Sequence, residues 1–207
     1  KPLVYTLHTM YDDYIYYIAH KPFVPLVKTM SHKYCKSLAK KASALTGASQ
    51  KIEDYFRECG VSKPVNIIPN AVELDIFAKD KISKNQLIDI KQKYNISDDL
   101  TVACFCGRLG KEKSVDVLLN YWAEKVKADD KLRLFIFGDG PDREELQELA
   151  KELHIDNTVF FTGKVQHTEL PPYYAVCHMY ITASLSENYS ISMLEAMASG
   201  LPVVHLY

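Results

Sequence analysis

An α/β fold with two doubly wound parallel sheets is predicted by two features of this 207-residue sequence: short apolar runs of strand character recur along it, and the stretches between them carry helical periodicity with recognisable ends. Parallel strands cannot be joined by tight hairpins, so such alternation is what parallel sheets demand. Strands are predicted at Leu3–Leu7, Ala44–Ala48, Val65–Ile68, Thr101–Cys106, Arg133–Phe137, Thr158–Thr162, Met179–Thr182 and Pro202–Leu206. Eight strands with crossovers suit two sheets better than one.

The helices declare themselves by their ends. Ser114 is placed to cap a helix carrying Leu118, Leu119, Trp122 and Val126 on one face. Pro141 is expected to open another, with acids in its first turn and Leu146, Leu149 and Leu153 at helical spacing. Gly60 and Gly200 each end a helix just before a strand. The polar stretch 79–99 lacks strand character and is read as an inter-domain connection, with a helix around Leu87–Tyr94. The expected domains are therefore 1–78 and 100–207. Both are expected to be incomplete, because the first strand starts almost at residue 1 and the last ends before a helix can cover it.

Composition limits the partners. With 47% apolar and 25% charged residues the chain is globular in character, and it holds no run of about 18 uncharged apolar residues and no leader-like start. A cytoplasmic, soluble chain is expected, with no nucleic-acid partner. Five cysteines are an odd number without paired metal spacing, so they are read as reduced core residues, with Cys104 and Cys106 on one strand face. The net charge of −1 hides an asymmetry: between Tyr14 and Ile52 there is no Asp or Glu, but there are seven lysines. Lys33, Lys36 and Lys40 would form one stripe on a helix, with Leu38 and Leu45 toward the packed side. That face meets either water or an anionic surface.

Three loops carry chemistry. Cys106–Lys113 (CGRLGKEK) runs from a strand into a helix, where backbone N–H groups and a positive helix end gather anions, and Arg108 and Lys113 add fixed countercharge for a diphosphate leaving group. Gly138–Arg143 (GDGPDR) imitates a dinucleotide fingerprint. Its third glycine is replaced by Arg143 and Asp139 would face a pyrophosphate, so it is read as a tight turn lining a pocket, with Gly138 at the ligand. In Ser186–Gly200, Glu187 follows a strand and Glu195 lies about two turns into the next helix, both suited to sugar hydroxyls. Ser190 and Ile191 would offer backbone N–H groups to phosphate at the helix start.

Taken in order, these motifs resemble the retaining GT-B glycosyltransferases, whose hallmark is two glutamates separated by seven residues. Glu187 and Glu195 fit, as do GRLxxxK at Gly107–Lys113, IIPNAV at Ile67–Val72, FGDGP at Phe137–Pro141 and EAMASGLPVV at Glu195–Val204. The resemblance implies that Arg108 and Lys113 hold the donor diphosphate, Glu195 the ribose and Glu187 the donor sugar. Ser190 and Ile191 would reach phosphate, and Gly163–Val165 the base, with Val165 in contact. His8 matches an active-site histidine near the transferred sugar. No metal or other cofactor is implied, and the leaving diphosphate would help deprotonate the acceptor.

The opening HTMYxDY at His8–Tyr14 resembles bacterial glucosyltransferases that act on diacylglycerol. It implies UDP-glucose as donor, a lipid acceptor, and peripheral attachment to the inner face of the membrane through the lysine-rich segment. Three departures stand out: Ser114, Ala71 and Asn188 each replace a glycine of the family pattern, the first two at positions expected to suit ordinary residues. Two other readings stay open here. One is the same fold with another sugar and a soluble or polysaccharide acceptor, and the other is a degenerate, non-enzymatic binding module.

Overall fold

The computed structural model describes residues 1–17, 19, 21–127, 131–184, 187 and 190–206. These form two compact units: one of residues 1–70 with 187 and 190, the other of 71–184 with 191–206.

The first unit holds the strands β1 (Val4–Leu7), β2 (Ala44–Gly47) and β3 (Val65–Ile67), hydrogen-bonded in that order and all parallel. The crossovers are α1 (Val24–Lys41) and α2 (Gln50–Glu58). Their inner faces close a core of Leu7, Cys35, Ala39, Leu45, Ile52 and Phe56.

The second unit begins with the short helix α3 (Leu74–Phe77) and with α4 (Lys84–Lys93), whose start is closed by a capping box between Ser83 and Gln86. It continues through β4 (Thr101–Cys106), α5 (Val115–Val126), β5 (Leu132–Phe137), α6 (Arg143–Glu152), β6 (Val159–Gly163), α7 (Leu170–Val176), β7 (Met179–Thr182), α8 (Ile191–Ala198) and β8 (Val203–His205). The five strands are parallel in the order β6-β5-β4-β7-β8. The strand path therefore reverses between β4 and β7, which makes the carboxyl ends of these two strands the place where a doubly wound sheet leaves a crevice.

Why the sheet is covered on both faces can be read from single strands. In β4 and β5, Ala103, Phe105, Leu134 and Ile136 enter one core with α5 and α6. Their neighbours Val102, Cys104, Phe135 and Phe137 enter a second core with α7 and α8. Both halves of the alternation are apolar because both are buried. Burial of one such side chain contributes about 1.5–3 kcal/mol.

All eight predicted strands form, to within a residue at each end. The segment 79–99, expected to connect domains, instead packs in the second unit, where Ile90 and Ile96 join Phe77 in the core. An amphipathic helix with an apolar stripe seeks a sheet face to cover, and α4 lies against α7. Pro141 does not open α6; it stands in a turn two residues before Arg143. Leu45 is no part of the helix that carries the lysines, being buried in β2.

Four helices of the described residues stop in the same way. Gly60, Asn95, His154 and Gly200 take φ of 74°, 51°, 58° and 76°, and the next N–H reaches back five residues: Val61 to Phe56, Ile96 to Lys91, Ile155 to Ala150 and Leu201 to Ala196, at 2.8–3.0 Å. In each motif the residue after the turn is apolar and buried, which pins the helix end to the core.

Ser114 departs from expectation. It precedes α5, but its side chain makes no cap hydrogen bond, and its backbone is left-handed at φ 49°, ψ 42°. Ala71 shows no such conformation, so of these two replaced glycines only the one at 114 is missed sterically. A left-handed L-residue costs roughly 1–2 kcal/mol, and glycine's extra freedom in the unfolded chain offsets about 0.5–1 of that. Ser114→Gly should therefore raise stability by up to about 1 kcal/mol, read as a higher urea midpoint at unchanged slope; a lower midpoint would show that the serine side chain contributes more than its backbone costs.

Candidate active site

The loops after β4, β5 and β6 are held together by backbone bonds that continue the sheet past its strands. Gly107 N–H donates to Phe137 O at 3.0 Å, Gly138 N–H to Gly163 O at 2.9 Å, and Leu109 N–H to Asp139 O at 3.0 Å. The loops approach so closely that a Cβ on Gly138 would lie 1.8 Å from Gly107 O, and one on Gly140 would lie 2.2 Å from Leu109 O. Gly138 also has φ of 146°. Both glycines are thus dictated by the fold of this edge.

A cavity of about 370 Å³ opens here, lined by Cys106, Gly107, Arg108, Phe137, Gly138, Asp139, Lys164, Val165 and Leu170. The candidate residues Arg108, Gly138 and Val165 therefore come together at the carboxyl edge of the sheet. Arg108 is about half exposed, with Nη1 at 4.0 Å from the buried Glu112 carboxylate. Asp139 does not direct its charge into the cavity alone: Oδ1 accepts from Gly140 N–H at 2.8 Å and Oδ2 pairs with Arg143 at 3.2 Å. Arg143, whose presence breaks the dinucleotide fingerprint, lies over the β6 end at Gly163 instead of crowding the helix. Lys113 is half-buried at the end of the turn Lys111–Lys113 and lies outside the cavity lining. Burial pushes the Cys106 thiol up to about 11, so at neutral pH it stays protonated at the cavity wall.

Glu195 is the fifth residue of α8, little more than one turn in, not two. It is only 4% exposed. Its Oε1 is 2.9 Å from His167 Nε2 and its Oε2 is 3.4 Å from the hydroxyl of the buried Tyr174. Tyr180 of β7 completes the arrangement: its hydroxyl donates to Cys106 O at 3.0 Å and stands 3.0 Å from Ser192 Oγ. The helix that carries Glu195 is thereby tied to the end of β4 across the switch point. His167, Tyr174, Tyr180 and Glu112 were not singled out in the sequence. Tyr174, Tyr180 and Glu112 are buried polar groups and His167 is an exposed ring that reaches a buried acid, and spacing encodes neither.

Ser190 and Ile191 fall where expected, at the start of α8. Ser190 and Glu187 group with the first unit, as does His8, which is exposed just after β1. The Glu187 carbonyl accepts from Lys51 Nζ at 3.0 Å. Asn188, the replaced glycine beside Glu187, lies outside the described residues.

The lysine-rich segment forms α1 with an unexpected apolar ridge. Phe23, just ahead of the helix, and Leu26, Met30 and Tyr34 are each 59–60% exposed and recur at intervals of three and four, while Cys35 and Ala39 face the core. Exposed Lys33, Lys40 and Lys41 accompany the ridge. Lys36 bends its ammonium over Gly60 at the end of α2, and Lys28 pairs with Asp12 at 2.9 Å. Asp12 also meets His32 at 2.9 Å and the Tyr55 hydroxyl at 3.2 Å. Among the described residues no helix is long and apolar enough to cross a membrane.

The profile of the glycosyl transferases group 1 matches residues 88–206, and that of Glycosyltransferase Family 4 matches residues 1–76. The chain belongs to the group 1 glycosyltransferases.

Among curated relatives, it is 31% identical to the alpha-monoglucosyldiacylglycerol synthase of Streptococcus pneumoniae over 98% of this chain and 46% of that protein. It is 30% identical to the synthase of the same name from Acholeplasma laidlawii over 100% of this chain and 52% of that protein. The chain thus spans about half the length of the curated relatives it matches. The solved structure of Anabaena HepE with UDP and glucose superposes with a TM-score of 0.81 at 22% identity, covering 99% of this chain and 52% of that one. The sucrose-phosphate synthase of Thermosynechococcus elongatus gives 0.76 at 21% identity, covering 98% and 49%. The fold is GT-B.

Burial raises the Glu195 carboxyl above its ordinary 4.5, with His167 and Tyr174 opposing the shift. The folded protein then holds this proton more tightly than the unfolded chain. The resulting stability is fully present below the ordinary glutamate range and is lost as pH rises through the raised value. Glu195→Gln removes that loss, so its urea midpoint should gain on wild type as pH is raised from about 4 to about 7. A constant difference across that range would mean that Glu195 titrates like an exposed glutamate.

Proposed function

We propose that this chain forms much of a retaining hexosyltransferase that moves glucose from UDP-glucose to a membrane lipid such as diacylglycerol. One observation carries the reading: a cavity at the carboxyl ends of β4, β5 and β6, edged by Arg108, adjoins a switch point where the buried carboxylate Glu195 is held at the next strand's helix. Two relatives named alpha-monoglucosyldiacylglycerol synthases, and a structural neighbour solved with UDP and glucose, favour this donor and acceptor over the alternatives of a soluble glycan acceptor or a binding module.

In this reading Val165 and the β6 end meet the base, and Glu195 accepts hydrogen bonds from the ribose hydroxyls. Arg108 and Lys113, with the N–H groups of Ser190 and Ile191, neutralise the diphosphate. Glu187 holds the sugar hydroxyls and His8 borders the transferred sugar. The bond from the anomeric carbon to the diphosphate oxygen breaks while the acceptor oxygen bonds to that carbon on the same face. The acceptor's proton passes to the departing phosphate oxygen. Charge on that leaving group grows in the transition state, and fixed guanidinium and ammonium groups stabilise it there without a metal.

Removing the Glu195 carboxylate by Glu195→Ala should weaken UDP binding about ten- to a hundredfold, the equivalent of about 1.5–3 kcal/mol for hydrogen bonds to a charged group. Calorimetric titration of the full chain reads this directly. A folded variant with unchanged affinity would refute the ribose-binding role. Incubation with UDP-glucose and diacylglycerol vesicles should yield an α-linked glucolipid; an inverted linkage, or transfer to soluble glycans only, would overturn the reading.

The lipid acceptor lies in a bilayer, and α1 has the chemistry to reach it. Each lysine near an anionic surface adds about 1 kcal/mol, and the ridge adds apolar insertion. Changing Lys33, Lys36, Lys40 and Lys41 to Glu should abolish sedimentation with anionic vesicles while UDP binding persists. Sedimentation at low salt that survives this change would reduce the lysines to a solvated face.

A further inference from the structure

We infer that His167 is a positioning residue for donor binding, acting through Glu195; the inference rests on the proposed contact between Glu195 and the nucleoside.

The geometry points to this role from three directions. First, His167 Nε2 lies 2.9 Å from Oε1 of a carboxylate that is only 4% exposed, so the ring supplies the nearest hydrogen-bond donor to an acid that water barely reaches. Since an ionised carboxylate only accepts, Nε2 carries the proton and donates. Second, the ring is held. His167 opens the single turn His167–Glu169, two residues beyond Val165 of the cavity wall, and packs edge-on against the fully buried Phe77 with ring centres 5.6 Å apart. Third, the other groups around the acid cannot take over this work. Tyr174 meets Oε2 at 3.4 Å while lying equally far from Ser192 O, and the Cys106 thiol, kept protonated by burial, is an uncharged and weak donor. Among these groups only His167 can bring positive charge, and it opposes the rise that burial imposes on Glu195.

A carboxylate offers about four acceptor positions. With His167 on one oxygen and Tyr174 near the other, the remaining positions are fixed in direction, as recognition of two neighbouring hydroxyls requires. Without His167 the acid would keep its place on α8 but lose both its orientation and part of its ionisation. Outer partners of this kind govern affinity without touching the ligand.

The test is a double-mutant cycle in the full chain, with UDP as the probe, read by calorimetry from about pH 5 to about pH 8. His167→Ala should weaken UDP binding about tenfold, within the range that coupled neighbours show, and should have no further effect in a Glu195→Gln background. Its acid limb of binding should move to higher pH, because Glu195 then holds its proton more tightly; the titration of UDP's own phosphate is common to every variant. His167→Gln retains an N–H for Oε1 and should recover most of the affinity at neutral pH. Additive losses from His167→Ala and Glu195→Gln, or a full loss in His167→Gln, would overturn the inference, as would a loss in Glu195→Gln with none in His167→Ala. If Glu195→Gln itself leaves UDP affinity unchanged, the ribose-binding reading of Glu195 fails and takes this inference with it.

Discussion

The site depends on the close approach of three loops beyond the ends of β4, β5 and β6. Strand pairing ordinarily stops where side chains begin to splay, yet here Gly107 N–H reaches Phe137 O and Gly138 N–H reaches Gly163 O, one rung past the regular ladder. That rung exists only because position 138 has no Cβ. It brings the backbone of one loop against the next and leaves the cavity as the space above them. Arg108, Gly138 and Val165 belong to three crossovers, and this shared backbone edge sets their separation more firmly than any side-chain contact could.

On the other side of β4 the constraint is polar. Tyr174 and Tyr180 are almost wholly buried, and a buried hydroxyl must find a partner. Tyr180 finds Cys106 O and Ser192, and Tyr174 approaches Ser192 O and Glu195. The two phenols therefore act as struts that fix the first turn and a half of α8 against the end of β4. Apolar side chains of similar volume would fill the same space without fixing the direction in which Glu195 points.

The sequence displayed the sheets plainly because parallel strands buried on both faces read as unbroken apolar runs; TVACFC at Thr101–Cys106 and LFIF at Leu134–Phe137 are examples. Helix ends marked by Gly60 and Gly200 were equally legible, whereas Asn95 and His154, which make the same turn, were not, since neither residue type is reserved for it. The loops of the site could be located from Arg108, Gly138 and Glu195, but not their partners. His167 lies 28 positions from Glu195, and no periodicity links a turn after β6 to a helix after β7. The ridge on α1 was hidden for the opposite reason: Phe23, Leu26, Met30 and Tyr34 have ordinary helical spacing, which a sequence reader assigns to the core. Cys35 and Ala39 already fill the inward face, so the ridge points out.

Local rules fail together at the carboxyl ends of β4, β5 and β7. Ser114 is left-handed where glycine would fit better, Glu112 and Glu195 are acids buried at 6% and 4% exposure, and Gly138 carries a φ that no other residue type adopts easily. Elsewhere in the second unit apolar residues line both sheet faces, and the left-handed Asn95 and His154 each end a helix in a hydrogen-bonded turn pinned by a buried apolar neighbour. Stability gathered by the two cores can therefore sustain a few costly features in one place. A carboxylate sunk beside a cavity is unfavourable to the fold but well suited to a ligand's hydroxyls, because fixed groups there need no rearrangement when the ligand arrives. The buried acids Glu112 and Glu195 and the backbone contact that Gly138 permits, taken together, distinguish this edge of the sheet from the opposite one.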